Sequence, residues 1–330
     1  MVPAQLDVVA VGSAIVDVLA GADDATLEDL GLVKGTMALV DAERADALYA
    51  SMGPAVEVSG GSAANTAAGV ASFGGAAAFM GKVADDQFGA VFTHDIRAVG
   101  VEYATPPAVA GPATARCLVL VTPDAQRTMS TYLGAATALG SGDIDEDLVG
   151  RARFTYVEGY LWDPPEAIHA LRRAMDAAHA AGGRVALSLS DPFCVARHRQ
   201  EFLDLLDGEV DVLFANEEEI VSLLEAGSFE DAVAAVRGRC EVAALTRGPL
   251  GSVVVSEGPA IRVPAAPVAE VIDTTGAGDL YAAGFLFGLA READLERCAR
   301  LGSLAAAEVI SHMGARPAVP LSSLAEPILG

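Results

Sequence analysis

The amino-acid sequence predicts an α/β fold, in which a mostly parallel sheet carries helices on both faces and a smaller sheet stands apart. Apolar residues make up 52% of the 330 residues, which is enough to bury a large core. From about residue 150 onwards, strand-like and helix-like segments alternate, and such alternation is typical of parallel sheets. Earlier in the chain, four strand-like segments do not fit this alternation, and we expect them to form the smaller sheet.

The strands are predicted from runs of β-branched and apolar residues bounded by turn residues. The early ones are 6–20, with a turn at Gly12-Ser13, then 36–42, 115–123 and 126–133. The Pro123-Asp124 pair is typical of a hairpin turn between the last two. The later strands are predicted at 153–161, 184–191, 210–216, 242–248 and 252–258.

The helices are predicted from apolar residues at helical spacing that end at glycine or another boundary residue. In the second half of the chain they are 164–183, 198–208, 217–227, 229–239, 276–290 and 294–314. The charge-free run 58–81 is rich in glycine and alanine, so we expect loops around a buried helix rather than a membrane span. Ligands of such folds gather at the carboxyl ends of the strands, which makes the smaller sheet a candidate lid.

The formal net charge is −24, which argues against nucleic acid and anionic membranes as partners. An anionic ligand would therefore have to be held by local dipoles and a few placed cations. The first basic residue is Lys34, so a charged signal-peptide start is missing, and we expect a cytoplasmic protein. The four cysteines and five histidines are scattered, which favours free thiols and predicts no transition-metal site.

The segment DTTGAGD, from Asp273 to Asp279, combines a glycine-rich turn with an acid at the mouth of an apolar helix. The N–H groups of Gly276, Ala277 and Gly278 would form a nest for an oxyanion, strengthened by the helix dipole. A carboxylate at Asp279 could then take a proton from a hydroxyl beside a transferring phosphoryl group. A helix that merely starts with an acidic residue explains the seven residues equally well.

The segment VSGGSAANTAAGVASFGG, residues 58–75, offers a second candidate site. Gly60 and Gly61 expose backbone N–H groups, and Asn65 adds a donor and an acceptor, a combination that suits the vicinal hydroxyls of a sugar. Asp17 lies in an apolar strand, where a buried acid needs partners such as hydroxyls. Taken alone, a packed small-residue helix with Asn65 as its cap is the better explanation of this segment.

Two further segments follow predicted strands. Asn216 and Glu219 have the spacing for a water-coordinated Mg²⁺, and also that of a capping box. Thr246, Gly248 and Gly251 would border a nucleotide, or form only a hairpin. The familiar phosphate loops are absent, because GAAAFMGKV fails the Walker spacing and GAGDLY fails the dinucleotide pattern.

Taken together and in order, GG-S-x-x-N at 60–65, N-x-x-E at 216–219 and DTTGAGDLYAAGF at 273–285 resemble the signatures of the ribokinase-type (PfkB) carbohydrate and nucleoside kinases. Within that family, GSAIVDV, QRTMSTYLGAA, YVEGYL, LSLSDPF and VDVLFANEEE are most similar to segments of the adenosine kinases. The resemblance covers nearly the whole chain. It implies a ribokinase-like three-layer sandwich, with a large α/β unit made of residues 1–12, 43–105 and 134–330 and a lid sheet made of 13–42 and 106–133.

The resemblance also implies transfer of the γ-phosphate of ATP to the 5′-hydroxyl of adenosine. Asp279 would be the base, Gly276, Ala277 and Gly278 the anion hole, and Arg127 a lid cation that reaches the phosphate. The acceptor would lie among Ser13, Asp17, Gly60, Gly61 and Asn65, and Asp17, Gly61 and Asn65 would hold the ribose. The purine would be walled by Ile15, Met37, Leu39, Leu133, Tyr160 and Leu161.

The cofactors implied are ATP, Mg²⁺ and K⁺. Asn216 and Glu219 would order Mg²⁺ through water, and Thr246, Gly248 and Gly251 would border ATP. The K⁺ site would be formed by Asp273, Thr275 and the backbone near Val309 and Gly314. The small-molecule partners would bind to a monomer or a homodimer.

Two alternatives stay open. A sugar kinase of the same family would act on ribose, fructose or 2-keto-3-deoxygluconate and keep Asp279, the glycines and Asn65. We favour a nucleoside because the walls are apolar, which suits a purine. A sensor that binds a nucleoside without catalysis is the third hypothesis, because fold does not fix function.

Overall fold

A computed structural model describes residues 5–124 and 126–329. The ends of the expected large unit, residues 1–4 and 330, and Ala125 in the expected lid segment lie outside the described residues. The fold is α/β with two separate sheets, as the alternation of strands and helices predicted. None of the helices in the described ranges is both long enough and apolar enough to cross a membrane.

The larger sheet has nine strands and is parallel except at one edge, where β13 pairs antiparallel with both of its neighbours, β12 and β14. In spatial order from that edge, the strands are β14 (Ile261–Val263), β13 (Ser252–Val255), β12 (Val242–Thr246), β11 (Val212–Asn216), β10 (Arg184–Ser188), β9 (Ala152–Glu158), β1 (Leu6–Val11), β5 (Ala77–Met80) and β6 (Glu102–Tyr103). The carboxyl ends of the parallel strands share one edge, where Glu158 pairs with Ser188 and Asn216 with Thr246.

The smaller sheet has five strands of mixed direction. In spatial order they are β3 (Met37–Leu39), β8 (Arg127–Tyr132), β7 (Ala115–Val121), β2 (Ile15–Gly21) and β4 (Ala55–Gly60). The predicted hairpin at Pro123-Asp124 joins β7 to β8 in antiparallel register. Four of the five strands lie in the segments 13–42 and 106–133, whereas β4 lies in the segment 43–105.

Helices cover both faces of the larger sheet, and the first two helices of the chain pack against the smaller sheet instead. In chain order, the helices are α1 (Asp24–Asp29), α2 (Ala42–Ser51), α3 (Ser62–Ser72), α4 (Gln87–Ala98), α5 (Glu146–Val149), α6 (Pro165–Ala180), α7 (Pro192–Gly208), α8 (Glu217–Leu224), α9 (Phe229–Val236), α10 (Ala277–Ala290), α11 (Leu295–Val309) and α12 (Ser322–Leu329). Alternate residues of β1 enter two different cores: Val8 packs with α3, α10 and α11, and Val9 packs with α6 and α7. Strands buried on both faces explain the near-continuous apolar runs.

The structure differs from the sequence expectation between residues 55 and 103. The run expected to be loops around one helix holds that helix as α3, but it is flanked by β4 and β5. These strands escaped prediction because alanine and glycine, which have low strand propensity, fill much of them. Tertiary context overrides that propensity, since β5 is completely buried between β1 and β6.

The contact between α3 and α10 depends on Gly69. A Cβ at this position would lie 2.6 Å from Cβ of Ala283 and 2.7 Å from Cδ1 of Leu280, both on α10. Only glycine therefore allows the two helix backbones to approach so closely. This close packing brings the N-terminal ends of the two helices together at the carboxyl edge of the larger sheet.

Candidate active site

Asp279 lies in the first turn of α10, and its side chain points at α3. Its Oδ1 accepts a hydrogen bond from Oγ of Ser62 at 2.6 Å, and its Oδ2 accepts one from Nδ2 of Asn65 at 3.0 Å. The backbone carbonyl of Asp279 also accepts from Oγ1 of Thr66 at 3.2 Å. The structure therefore brings together Asn65 and Asp279, which are 214 residues apart in the sequence.

The protonation of Asp279 is set by competing effects. Burial raises the pKa of Asp279 above its ordinary value, while the hydrogen bonds from Ser62 and Asn65 and the charge of Arg316 lower it. A carboxylate with a raised pKa is a stronger proton acceptor than an exposed one. Among the described atoms, Oδ1 of Asn65 is buried without a hydrogen-bond partner, so it can accept from a ligand hydroxyl at this place.

The N-terminus of α10 is open. Its N-cap is Gly276 with φ of 77°, and no described side chain caps the helix there. A Cβ at Gly276 would lie 2.7 Å from Cβ of Ala315, so the turn demands glycine twice over, by conformation and by space. Gly278 has open space in front of it. The N–H of Ala277 donates to the carbonyl of Thr274 at 3.3 Å, a long turn bond. Within the described residues the N–H groups of Gly276 and Gly278 make no such bond, and N–H groups at the positive end of a helix fit a phosphate group.

The link between β4 and α3 lies beside Asp17. A Cβ at Gly60 would collide with the carboxylate of Asp17, and a Cβ at Gly61, with φ of 98°, would collide with the carbonyl of Ser13. Burial raises the pKa of Asp17 to about 6, while Arg316 and Arg127 lower it and Asp279 and Asp273 raise it. Both glycines and Asp17 therefore meet in one place, as expected for an acceptor site.

One face of the smaller sheet carries three of the six residues expected to wall the purine. In register, Asp17 lies beside Cys117, which pairs with Thr131, which pairs with Leu39. The neighbouring row runs from Leu19 through Val119 and Met129 to Met37. Met37 and Leu39 are exposed on this face, at 52% and 64%. Ile15 shares it too, because its register is two residues from Asp17.

The other expected wall residues differ in their surroundings. Leu133 is half-buried and follows β8, and Tyr160 is 43% exposed beyond the end of β9. The Tyr160 hydroxyl donates to the carbonyl of Ser190 at 3.2 Å. Leu161 is 2% exposed and packs in the core beneath α6 and α7, so its side chain does not belong to the open face of the smaller sheet.

Arg127 reaches from the smaller sheet to the segment before α10. Its Nη1 donates to the carboxylate of Asp273 and to the hydroxyl of Thr275. Asp273 also accepts from the backbone N–H groups of Thr275 and Gly314, at 2.8 Å each. Three of the four residues expected at a K⁺ site are thus adjacent, and Val309 ends α11 beside them. The Asp273 oxygens are already occupied, so K⁺ would rely chiefly on carbonyl oxygens there.

The expected nucleotide and magnesium residues lie at the ends of β11 and β12. Asn216 and Glu219 form a complete capping box: Asn216 Oδ1 accepts from Glu219 N at 2.9 Å, and Glu219 Oε2 accepts from Asn216 N at 2.8 Å. Glu219 is 5% exposed, and burial raises its pKa to about 7. These contacts fit a role toward Mg²⁺ through water rather than direct ligation.

Thr246 pairs with Asn216 across the strands and extends this edge. Gly248 and Gly251 both have positive φ, at 54° and 87°, and shape the turn into β13. Arg247, directly before Gly248, is not available to a phosphate, because it forms two 3.0 Å hydrogen bonds with Glu217. Across the described ranges, no cluster of three or more acidic, histidine or cysteine side chains is arranged to hold a metal ion by itself.

Glu158 is a site residue that the sequence did not single out. It is fully buried at the end of β9, where its Oε1 accepts from the N–H of Ser13 at 2.7 Å and its Oε2 from the N–H of Ala63 at 2.8 Å. Burial raises the pKa of Glu158 to about 7, against the effect of these hydrogen bonds. One carboxylate thus joins the turn into β2 to the start of α3. Its signal in the sequence is an acid at the end of the apolar run RFTYV.

Ser62 and Arg316 were also missed. Ser62 resembles any small residue in an alanine-rich helix until the position of Asp279 is known. Arg316 follows α11 and donates to the carbonyls of Ser59 and Ala64, on either side of the paired glycines. Its signal is a single cation in the uncharged stretch GARPAVP of an acidic chain. Their partners lie more than 200 residues away, which is why spacing could not reveal them.

These residues form a site with an open anion-binding helix N-terminus, a carboxylate three residues into that helix, and a second carboxylate on the facing sheet. A cavity of about 580 Å³ lies beside this site, between Leu19, Val56 and Val58 of the smaller sheet and the segment 314–316, and neither of the two carboxylates lines it. The arrangement can hold a phosphate and a hydroxyl-bearing acceptor side by side, which is the geometry of phosphoryl transfer.

Comparison with known proteins agrees with this chemistry. The chain is 53% identical to the solved structure of an adenosine kinase from Sinorhizobium meliloti, over 98% of this chain and 99% of that one, with a TM-score of 0.91. It is 49% identical to a structure from Rhizobium etli CFN 42 described as a probable sugar kinase protein, over 98% of each chain, also with a TM-score of 0.91. It is 29% identical to the adenosine kinase of Saccharomyces cerevisiae, over 93% of this chain and 95% of that protein.

The expected ribokinase-like fold is therefore confirmed. The profile of the pfkB family carbohydrate kinases matches residues 39–321, which include Gly60, Asn65, Glu219 and Asp279. That match extends over most of the chain and holds the site just described, so the chain is a kinase and belongs to the pfkB family of carbohydrate kinases.

Proposed function

We propose that the protein transfers the γ-phosphate of ATP to the 5′-hydroxyl of adenosine, giving AMP and ADP. The observation that carries this proposal is Asp279, held by Ser62 and Asn65 in front of the open N-terminus of α10. The base and the anion hole of a phosphoryl transfer lie within one helical turn of each other. A binding protein without catalysis needs no such carboxylate.

In this mechanism the 5′-oxygen of adenosine attacks the γ-phosphorus, and the bond from that phosphorus to the bridging oxygen of ADP breaks. Asp279 takes the proton of the attacking hydroxyl. The N–H groups of Gly276, Ala277 and Gly278 stabilise the charge on the transferring group, because they face it at the positive end of α10. Bound Mg²⁺ would neutralise charge on the phosphates of ATP.

The residues of the smaller sheet support a nucleoside as the acceptor. Asp17, with Gly61 and Asn65, would hold the ribose hydroxyls, and the exposed Met37 and Leu39 would cover a flat apolar base on the same face. The 53% identity to an adenosine kinase points the same way. We propose that this sheet acts as the lid, and that Arg127 exchanges Asp273 for the phosphate when ATP binds.

A sugar kinase is the second candidate, and one observation favours it. Glu158 places a second carboxylate close enough to Asp279 for the two charges to interact, and polar groups suit the many hydroxyls of a free sugar. The relative described as a probable sugar kinase is 49% identical to this chain. Both oxygens of Glu158 already accept hydrogen bonds from the backbone, however, which leaves it less to offer a ligand.

The test is an ATP-consumption assay with Mg²⁺ and a panel of acceptors: adenosine, inosine, guanosine, ribose, fructose and 2-keto-3-deoxygluconate. We expect turnover chiefly with adenosine. Turnover chiefly with a free sugar would replace the nucleoside by the sugar and leave the role of Asp279 in place. Absence of turnover with every acceptor would favour a nucleoside sensor. Repeating the assay with K⁺ exchanged for Na⁺ tests the proposed K⁺ site.

A further inference from the structure

The chain passes from the smaller sheet to the larger unit through Gly60 and Gly61. Neither glycine tolerates a side chain, since Asp17 packs over Gly60 and the carbonyl of Ser13 over Gly61. The link precedes Asn65 by one helical turn. Asn65 both donates to Asp279 and, in the proposed function, binds the acceptor. Any rotation at this link would therefore disturb both of these contacts at the same time.

Arg316 spans the link from the far end of the sequence. Its Nε and Nη2 donate to the carbonyl of Ser59, at 3.1 Å and 2.7 Å, and Nη2 also donates to the Ser59 hydroxyl at 2.9 Å. Its Nη1 donates to the carbonyl of Ala64 at 2.7 Å. One planar guanidinium thus holds the residue before the two glycines and a residue after them in fixed relation.

The charges around Arg316 are mostly negative. Asp95 of α4 accepts from the N–H and the hydroxyl of Ser59, at 2.8 Å and 2.6 Å. Asp17 on the smaller sheet and Asp279 on α10 also feel the charge of Arg316. The remaining charged groups nearby are Arg127 and Asp273, which act on Asp17, and Glu158, which interacts with Asp279.

We propose that Arg316 is a positioning residue for phosphoryl transfer: its guanidinium fixes the Gly60-Gly61 link, and its charge favours the ionised carboxylates of Asp17 and Asp279. It touches neither the acceptor nor the phosphate in this role. The role in catalysis rests on the proposed function, because it acts through Asp279 as the base. The role in holding the link stands without it.

The test compares Arg316→Met, which removes charge and donors, with Arg316→Lys, which keeps the charge but cannot hold both carbonyls in one plane. Arg97→Met is the matched control, because Arg97 makes the same pair of bonds, from Nε at 2.9 Å and Nη2 at 2.7 Å, to one carbonyl, that of Tyr103 at the edge of the larger sheet. Each variant is measured for kcat, KM, the pH profile and hydrogen exchange over residues 59–66.

In Arg316→Met we expect kcat/KM to fall about 10²-fold, because the groups around Asp279 are misplaced. The acid limb of kcat/KM moves to higher pH, because Asp279 loses a cation that lowers its pKa. Exchange over residues 59–66 becomes about tenfold faster. Arg316→Lys restores the position of the acid limb but recovers only part of kcat. Arg97→Met changes none of these.

A folded Arg316→Met variant with the acid limb and the exchange of the unsubstituted protein would overturn the proposal. If Arg316→Met does not fold, Arg316→Lys decides: a kcat within twofold of the unsubstituted protein and unchanged exchange would also overturn it. If the unsubstituted protein turns over none of the acceptors, the proposed function fails, and the exchange measurement alone then supports or overturns the role of Arg316 at the link.

Discussion

The N-termini of α8 and α10 make an instructive comparison, because each carries an acid at the third helical position. In α8 that acid is Glu219, which bonds back to Asn216 while Asn216 bonds forward to Glu219. In α10 it is Asp279, and the N-cap is Gly276, which has no side chain to offer. Asp279 turns instead to Ser62 and Asn65 on α3.

The difference shows what makes a helix N-terminus available to a ligand. A capping box satisfies two of the free N–H groups internally and places a carboxylate beside the others, so α8 is a poor site for an anion. A glycine cap brings no side chain to these groups, and among the described contacts of α10 only the long bond from Ala277 N to the Thr274 carbonyl uses one of them. A neighbouring helix can then hold the acid away from them. The identity of the cap residue therefore separates a closed helix end from an open one, and both can be read from the sequence.

Replacing Asp279 by Asn at the open end of α10 should have the largest effect on turnover. Asparagine keeps the shape and can still bond to α3, but it cannot take the proton of the acceptor. We expect kcat to fall by about 10³-fold or more, because general base catalysis commonly contributes this much. Adenosine binding, measured by calorimetry, should stay within a few-fold. Turnover at the unsubstituted rate would remove Asp279 from the mechanism.

Gly276→Ala tests the cap itself. The left-handed conformation at Gly276 costs alanine about 1–2 kcal/mol, and the new Cβ meets Ala315, so thermal unfolding should occur at lower temperature. We expect kcat to fall about 10²-fold, as when one oxyanion donor is displaced.

Gly278→Ala is the comparison for stability. Its Cβ meets no described atom within 4 Å, and alanine favours a helix by about 1 kcal/mol over glycine, so this variant should not be destabilised. Equal melting temperatures for the two variants would contradict the assignment of strain to Gly276.

The N-terminus of α3 is intermediate between the closed end of α8 and the open end of α10. The described helix has no side-chain cap of its own, but the buried Glu158 at the end of β9 accepts from its first turn. The pKa of Glu158 is raised from 4.5 to about 7 in the folded protein. The folded state therefore holds this proton more tightly, and stability is lost as the pH rises from about 4.5 to about 7. The loss from this group is on the order of 3 kcal/mol.

Glu158→Gln should remove this titration, so its free energy of unfolding, measured with urea at several pH values, should depend less steeply on pH in that range. Glu166→Gln removes an exposed glutamate at the start of α6 and controls for the loss of one carboxylate. Parallel curves for the unsubstituted protein and Glu158→Gln would show that Glu158 does not titrate there.

Asn216→Ala opens the closed end of α8 and has the smallest expected effect. Loss of an N-cap costs about 1 kcal/mol of unfolding free energy. If Glu219 orders the waters of Mg²⁺, the concentration of Mg²⁺ needed for half-maximal turnover should also rise a few-fold.

The control is Ser228→Ala, which removes the N-cap of α9. The Ser228 hydroxyl accepts from Asp231 N at 3.2 Å, and its loss should lower stability alone. An identical Mg²⁺ dependence in both variants would argue against the metal role.

Much of this site could be predicted because its chemistry is local in sequence. Gly276 and Asp279 belong to one turn, and Gly61 and Asn65 to another, so residue type and spacing singled them out. Only the resemblance to a kinase family then favoured a site over two capped helices. The alternation of strands and helices likewise predicted the parallel sheet. The cap at Asn216 was an open alternative, and the structure shows that the box is present without testing the role in binding.

Other parts depend on the fold and could not be predicted. Glu158 holds Ser13 across 145 residues, and Arg316 holds Ser59 across 257. No local pattern marks such pairs. We expected Arg127 to reach a phosphate, but the sequence did not indicate that it pairs with Asp273 in this structure. The two residues become neighbours only when the smaller sheet packs over the segment before α10.

Gly69 lies in the interior of the protein, yet its lack of a side chain affects the geometry of the site. It sets how closely α3 approaches α10, and those two helices carry the proposed base, Asp279, and the side chains that donate to it. A protein engineer who spared every residue near the substrate, yet filled this interior gap to gain stability, would be moving the catalytic parts relative to each other. Distance from the ligand is therefore a poor guide to which positions this enzyme can give up.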